Sequence, residues 1–166
     1  MNWRSKNVLV TGGASFIGSN LVEALIERNA RVRVADDLSS GRLENIQDHV
    51  KAGRVEFMQM DLREPEAAER AVSGMEVVFH LAADHGGRGY VDLHQAACAV
   101  NLMLDGMVFY ACKKAKVEKI VYASSGCAYP NYLQKDPTKE IYLTEDMVAL
   151  PMRPTTCTAG PNSWGK

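Results

Sequence analysis

Along most of the chain, short apolar runs alternate with stretches whose apolar residues recur at helical spacing. Val8, Leu9 and Val10 lead into Thr11-Gly12-Gly13-Ala14-Ser15-Phe16-Ile17-Gly18, after which Leu21, Val22, Ala24 and Leu25 recur three and four apart. That pattern predicts a first strand at Asn7–Thr11 and a first helix over 17–27. Further strands are predicted at 31–35, 55–60, 76–82 and 119–123. Helices are predicted over 42–50, Pro65–Val72 and 91–115, with Pro65 suited to a first helical turn. Strands that alternate with helices imply βαβ units with right-handed crossovers. The fold expected is therefore α/β, a doubly wound parallel sheet of order 3-2-1-4-5, truncated after the fifth strand. Beyond Ser125 the periodicity fades into a loop-like stretch carrying Pro130, Pro137, Pro151 and Pro154. A domain over 1–150 followed by an irregular tail over 151–166 is the predicted organisation.

Composition narrows the partners. The 166 residues suffice for one domain with its own core, and a net charge of −1 offers no basic field for nucleic acid. No apolar run approaches the roughly 20 residues that cross a bilayer, so no membrane is expected. Residues 1–6 lack the apolar stretch of a signal peptide. Cys98, Cys112, Cys127 and Cys157 show no metal-binding spacing and read as reduced cytoplasmic thiols. His85 and His94 stand near Asp84 and Asp92 without forming a ligand cluster. They read as satisfied polar loop residues, and no metal is expected.

The candidate chemistry begins at the glycine turn. A strand–glycine–helix junction aims backbone N–H groups and the positive end of a helix at a phosphate. The cradle is Gly12, Ser15, Phe16, Ile17 and Gly18, and the ligand it suits is a dinucleotide. A glycine triplet alone is equally a tight turn, but here the strands and the helix fall in the required order. Asp36 closes the second strand, 24 residues after Gly12, where a carboxylate can accept from an adenosine ribose diol. It repels a 2′-phosphate, and no Arg follows it directly, so NAD is favoured over NADP. Asp37 is an equal candidate by distance, and either acid can instead be a loop residue or a cap. Asp61 and Leu62 follow the third strand and can contact the adenine, with a helix cap the competing role for Asp61. Ala82 and Ala83 are small residues at the end of the fourth strand, across which a cofactor can lie close.

Together with Asp36 to Gly41 (D-D-L-S-S-G), H-L-A-A-D at 80–84, Asn101 and Y-A-S-S-G-C-A-Y-P at 122–130, these motifs resemble the extended short-chain dehydrogenase/reductase family. Within it the chain is similar to the NAD-dependent epimerases and dehydratases of nucleotide sugars. The resemblance covers about residues 6–150. It departs at Ser15, where the family usually carries glycine; a small hydroxyl there can still approach and donate to a pyrophosphate. The resemblance implies NAD as cofactor, a nucleotide sugar as substrate, and Ser125 as the hydroxyl that orients the substrate oxygen. On its own, Ser125 reads as a strand-end hydroxyl capping its backbone. The S-S-G-C-A-Y-P segment is similar to S-S-A-C-I-Y-P of GDP-mannose 3,5-epimerases, which implies acid/base work by Cys127 at the sugar carbon. A small buried hydrophobe is the competing role for Cys127. The loop at 83–90 resembles those enzymes' substrate loop, with Gly86 and Gly87 admitting a sugar and Arg88 meeting a phosphate.

In the family a Tyr-x-x-x-Lys pair follows the serine, the Lys lowering the Tyr pKa. The pair present here, Tyr110 and Lys114, precedes Ser125 and reads as a packing residue and a solvated helix-end charge. The tail P-M-R-P-T-T-C-T-A-G-P-N-S-W-G-K lacks the pair. Its codons, read as the third base of one residue with the first two of the next, can spell A-A-D-N-M-Y-G-W-A-K-L-M-G-E. The expectation is that residues from about Met152 onward are a frame-shifted catalytic helix. The chain alone is then expected to be inactive, without a C-terminal substrate domain. Apolar surface left uncovered favours poor stability or association, a homodimer included. The alternative is a non-catalytic dinucleotide-binding sensor or regulatory module.

Overall fold

The computed structural model describes residues 2–86, 90, 93–124, 129, 142 and 144–149. One unit comprises Met1–Ala83 with Met103–Ala123, and a second comprises Asp84–Leu102 with Ser124–Lys166.

The first unit carries the sheet. Its strands are β1 (Asn7–Thr11), β2 (Arg31–Asp36), β3 (Val55–Gln59), β4 (Val77–His80) and β5 (Lys119–Tyr122). They pair in parallel in the order β3-β2-β1-β4-β5, as the alternating pattern predicts. Helices α1 (Phe16–Glu27), α2 (Gln47–Lys51), α3 (Pro65–Val72), α4 (Gln95–Ala99) and α5 (Asn101–Ala115) complete the described regular structure, with 3₁₀ turns at Leu43–Asn45 and Glu145–Ala149.

A parallel sheet buries both faces, so its strands read as apolar runs. Val8, Val10, Val32, Val34 and Val77 point to one face and pack with Val22 and Leu25 of α1 and with Ile46. Leu9, Ala35 and Val78 point to the other, against Ala68, Ala71 and Val72 of α3 and Val108, Ala111 and Cys112 of α5. Arg33 pairs in register with Glu56 on the neighbouring strand. Its guanidinium bonds Glu56 and reaches the carbonyls of Ala71 and Ser73, satisfying the C-terminal end of α3. Across the lower edge of the sheet, Lys6 bridges Glu76 and Glu118.

Two predicted helices are broken. The stretch 42–50 divides into a 3₁₀ turn and α2 at Ile46, whose φ of −129° is not helical. Ile46 is 1% exposed, so burying its side chain outweighs continuing the helix. The long helix over 91–115 is interrupted at Val100. Its helical stretch Gln95–Ala115 spans 21 residues and is, by length and composition alone, enough to cross a bilayer. Yet Asp105 sits mid-helix, buried against the sheet among residues that pack on Leu9 and Val78. That is the pattern of a helix covering a sheet rather than one facing lipid.

Candidate functional site

The C-terminal ends of β1, β2 and β4 bring the predicted cofactor residues together. After Thr11 the chain turns through Gly12, whose φ is +67°. A Cβ on Gly12 would meet the Ala82 backbone nitrogen at 2.9 Å. Position 12 therefore needs glycine for its dihedral and for the close passage of the backbone beyond β4. A Cβ on Gly18 would collide with the Gly12 carbonyl oxygen and meet Gly13 Cα at 2.7 Å, so α1 starts directly against the turn. No side chain caps that start. The Ser15 hydroxyl donates instead to the Gly12 carbonyl at 2.6 Å, so its proton serves the turn rather than an incoming pyrophosphate. Phe16 and Ile17 are 82% and 69% exposed, leaving the first-turn amides open to an outside acceptor.

Asp36 fastens this turn to β2. Its carboxylate is 6% exposed and accepts from the Ala14 and Leu38 backbone N–H groups, each at 2.9 Å. The Ala14 carbonyl accepts in turn from Arg42 N and Asn45 Nδ2. Asp37 is the exposed one of the two acids, and it closes its own turn through Ser39. Asp36 is thus the acid at the base of the turn, with lone pairs left for a diol. Asp61 caps its own loop: its oxygens accept from Arg63 N at 2.9 Å, and from Nε and Nη2 at 2.5–2.9 Å. Those bonds to Arg63 hold its carboxyl below the usual range. Leu62 is a core residue at 4% exposure, so only its backbone can face a ligand. Ala82 is half-buried and Ala83 is exposed.

One constellation escapes the sequence reading. Thr11, His80 and Tyr122 end β1, β4 and β5 and stand opposite one another in the parallel register. Thr11 Oγ1 lies 2.7 Å from His80 Nδ1, and His80 Nε2 lies 3.1 Å from Asp105 Oδ1. The Tyr122 hydroxyl donates to Asp105 Oδ2 at 2.8 Å. Thr11 Oγ1 also accepts from the Leu81 and Ala82 N–H groups, both at 3.1 Å. Phe109 meets the His80 and Tyr122 rings edge-on, at 5.7 and 5.3 Å between centroids. The signal was present: polar residues end three otherwise apolar strands, and an acid interrupts an apolar helix.

In the second unit, the Asp84 backbone exchanges two hydrogen bonds with the Asn101 side chain. The Tyr90 hydroxyl donates to Asp84, and its ring covers Gly86, where a Cβ would meet ring carbons at 2.6 Å. His94 stacks on Tyr90 and bonds its carbonyl, the satisfied polar role expected of it. Ser125, Cys127, Gly87, Arg88 and the tail beyond Ala149 lie outside the described residues. Tyr110, expected to pack, is 64% exposed, because the buried face of α5 runs through Asp105, Val108 and Ala111. Lys114 pairs with Glu69 on the surface.

Burial first, and the bond to Asp105 second, push the Tyr122 hydroxyl up to about 12. A raised acid pKa stabilises the fold fully below the ordinary value of about 10, and the contribution is lost as pH rises through the folded value. Denaturant midpoints should therefore fall between about pH 10 and about pH 12. Cys112, pushed by burial to about 11, shares in the loss. Tyr122→Phe should leave a smaller decline than the parent chain shows, and an unchanged slope would refute the assignment.

Residues 8–157 match the model of the NAD dependent epimerase/dehydratase family. The UDP-glucose 4-epimerase of Mycolicibacterium smegmatis is 35% identical over 147 residues, 88% of this chain and 45% of that protein. The GDP-mannose 3,5-epimerase of Arabidopsis thaliana is 30% identical over 139 residues, 82% of this chain and 36% of that one. Among solved structures, the UDP-glucose 4-epimerase of Thermus thermophilus in complex with NAD aligns with a TM-score of 0.72 and 34% identity. That alignment covers 89% of this chain and 44% of the other. The chain thus spans less than half the length of these relatives. With the glycine turn, the buried acid after β2 and the strand order all in place, the chain belongs to the NAD dependent epimerase/dehydratase family.

Proposed function

We propose that this chain binds NAD at the C-terminal ends of β1, β2 and β4, in the service of epimerisation (or dehydration) of a nucleotide sugar. One observation carries the reading. The turn has no room for a Cβ at Gly12 or Gly18, and it opens an uncapped helix beside a buried carboxylate. The residues fit the cofactor. The first-turn amides suit a pyrophosphate, Asp36 suits a ribose diol, and Ala82 is small where the strand ends crowd together. NAD, when bound, would supply a hydride acceptor that later returns the hydride. In this reading Ser125 orients the substrate oxygen, Cys127 moves a proton at the sugar carbon, and Gly86, Gly87 and Arg88 form the substrate loop. The exposed Met103 and Tyr110 on α5 support homodimerisation, which sedimentation equilibrium reads directly; a monomer at all concentrations refutes it. No Tyr-x-x-x-Lys pair follows Ser125 in the sequence, so this chain is expected not to turn over substrate on its own.

Calorimetric titration with NAD should reveal one site. Gly18→Val should weaken it by about 100-fold or more while the variant keeps its helical signal, because the clash displaces the turn from the phosphates. NADP should bind about tenfold or more weaker, since Asp36 repels a 2′-phosphate. No binding by the parent chain would sink the cofactor reading, and equal affinities would sink the role of Asp36.

The tail has its own test. The coding DNA across Pro151–Lys166 should spell Y-G-W-A-K one base out of frame, and any other bases there refute the shift. The frame-restored chain should then be assayed with GDP- and UDP-sugars. Cys127→Ser in that chain should abolish epimerisation and spare NAD binding. NAD binding without turnover in the restored chain would favour a sensor module instead.

A further inference from the structure

We propose that Asp105, buried and bonded to His80 and Tyr122, is a positioning residue that sets the backbone floor of the cofactor site through His80 and Thr11. The floor is the Leu81–Ala82 backbone, past which Gly12 packs. Its relevance to NAD rests on the cofactor reading above.

The argument is one of hydrogen counting. A threonine hydroxyl has one proton and two lone pairs. The N–H groups of Leu81 and Ala82 occupy both lone pairs of Thr11 Oγ1. The proton must then point at His80 Nδ1, which therefore carries no hydrogen. The imidazole hydrogen sits on Nε2 and donates to Asp105 Oδ1. Tyr122 donates to the other carboxylate oxygen. Every hydrogen is used once, and the direction of the whole chain is set by Asp105, an acceptor at both oxygens.

The acid has little to offer α5 otherwise. It is 4% exposed on a helix face that continues with Val108, Ala111 and Cys112. A buried carboxylate there is costly unless its partners need it. Without that acceptor His80 can carry its hydrogen on Nδ1. The Thr11 hydroxyl must then turn, accept from the ring and release one of the two backbone N–H groups. Those are the groups that hold the exit of β4 against the exit of β1. The consequence of Asp105 is therefore felt at Ala82, on the far side of two side chains.

Two variants separate positioning from support, read by ¹⁵N NMR of the 166-residue chain. In the parent chain, His80 should show hydrogen on Nε2 and none on Nδ1. Asp105→Leu, which keeps bulk and removes the acceptor, should lose that signature and speed amide exchange at Leu81 or Ala82 by about tenfold. Its NAD dissociation constant should rise by about tenfold for the same lost bond. Asp105→Asn still offers an oxygen to Nε2–H, and it should restore the tautomer and keep NAD affinity within about threefold of the parent. The proposal is overturned by a parent chain with hydrogen on Nδ1, by unchanged amide exchange in Asp105→Leu, or by an Asn variant as impaired as the Leu one. The first of these needs no variant, so it decides even if Asp105→Leu fails to fold. If the parent chain binds no NAD, the cofactor reading falls, while the tautomer and amide measurements still judge whether Asp105 sets the floor.

Discussion

How closely the backbone beyond β1 can pass the backbone beyond β4 governs the upper end of this sheet. Gly12 allows that passage, with Ala82 N where a side chain would otherwise begin. Thr11 holds it, taking two N–H groups from the opposite strand end. Asp36 then fixes the other side of the turn through Ala14 N. The turn is clamped from both flanks by buried acceptors, leaving its open side to the first-turn amides of α1. A turn held in this way keeps one geometry without a ligand, which under the proposed function lowers the ordering cost of binding.

The two clamps differ in what they leave free. Asp36 has each oxygen engaged by one backbone donor, and each still has a second lone pair. One carboxylate can therefore shape the loop and, in the function proposed above, also receive a diol. The Thr11 oxygen has nothing left to give, because its lone pairs and its proton are all committed. Its work is confined to the protein interior.

Much of this was legible in the sequence because the strands are continuous apolar runs bounded by breakers. Val8 to Val10 and Val77 to Phe79 mark two strands directly, and the βαβ alternation marks the sheet as parallel, while the order leans on the glycine turn that follows β1. Asp36 was legible by its place at a strand end. What escaped depends on contacts distant in sequence. His80 was read as part of an apolar strand and of the H-L-A-A-D motif, with no partner foreseen, although it is a fully buried partner of Thr11, 69 residues away. Asp105 drew no reading from the sequence, since nothing local shows which face of α5 is covered. The helix over 42–50 broke at Ile46 because burying that side chain matters more than helical continuity. Ser15 was read as a donor to a ligand, but it bonds its own turn, a choice that turns on a local carbonyl no pattern displays.

The separation between Thr11 and His80 also bears on how the chain is assembled. The strand β1, helix α1 and strand β2 are contiguous, and Asp36 lies only 22 residues beyond Ala14. That half closes through short loops, whose entropic cost is small. The partner of β1 on its other edge, β4, comes far later, and pairings of such long range form slowly. The turn beyond β1 therefore meets its Asp36 clamp through a short stretch of chain, whereas its Thr11 clamp needs residues 80–82, which come some 70 residues later.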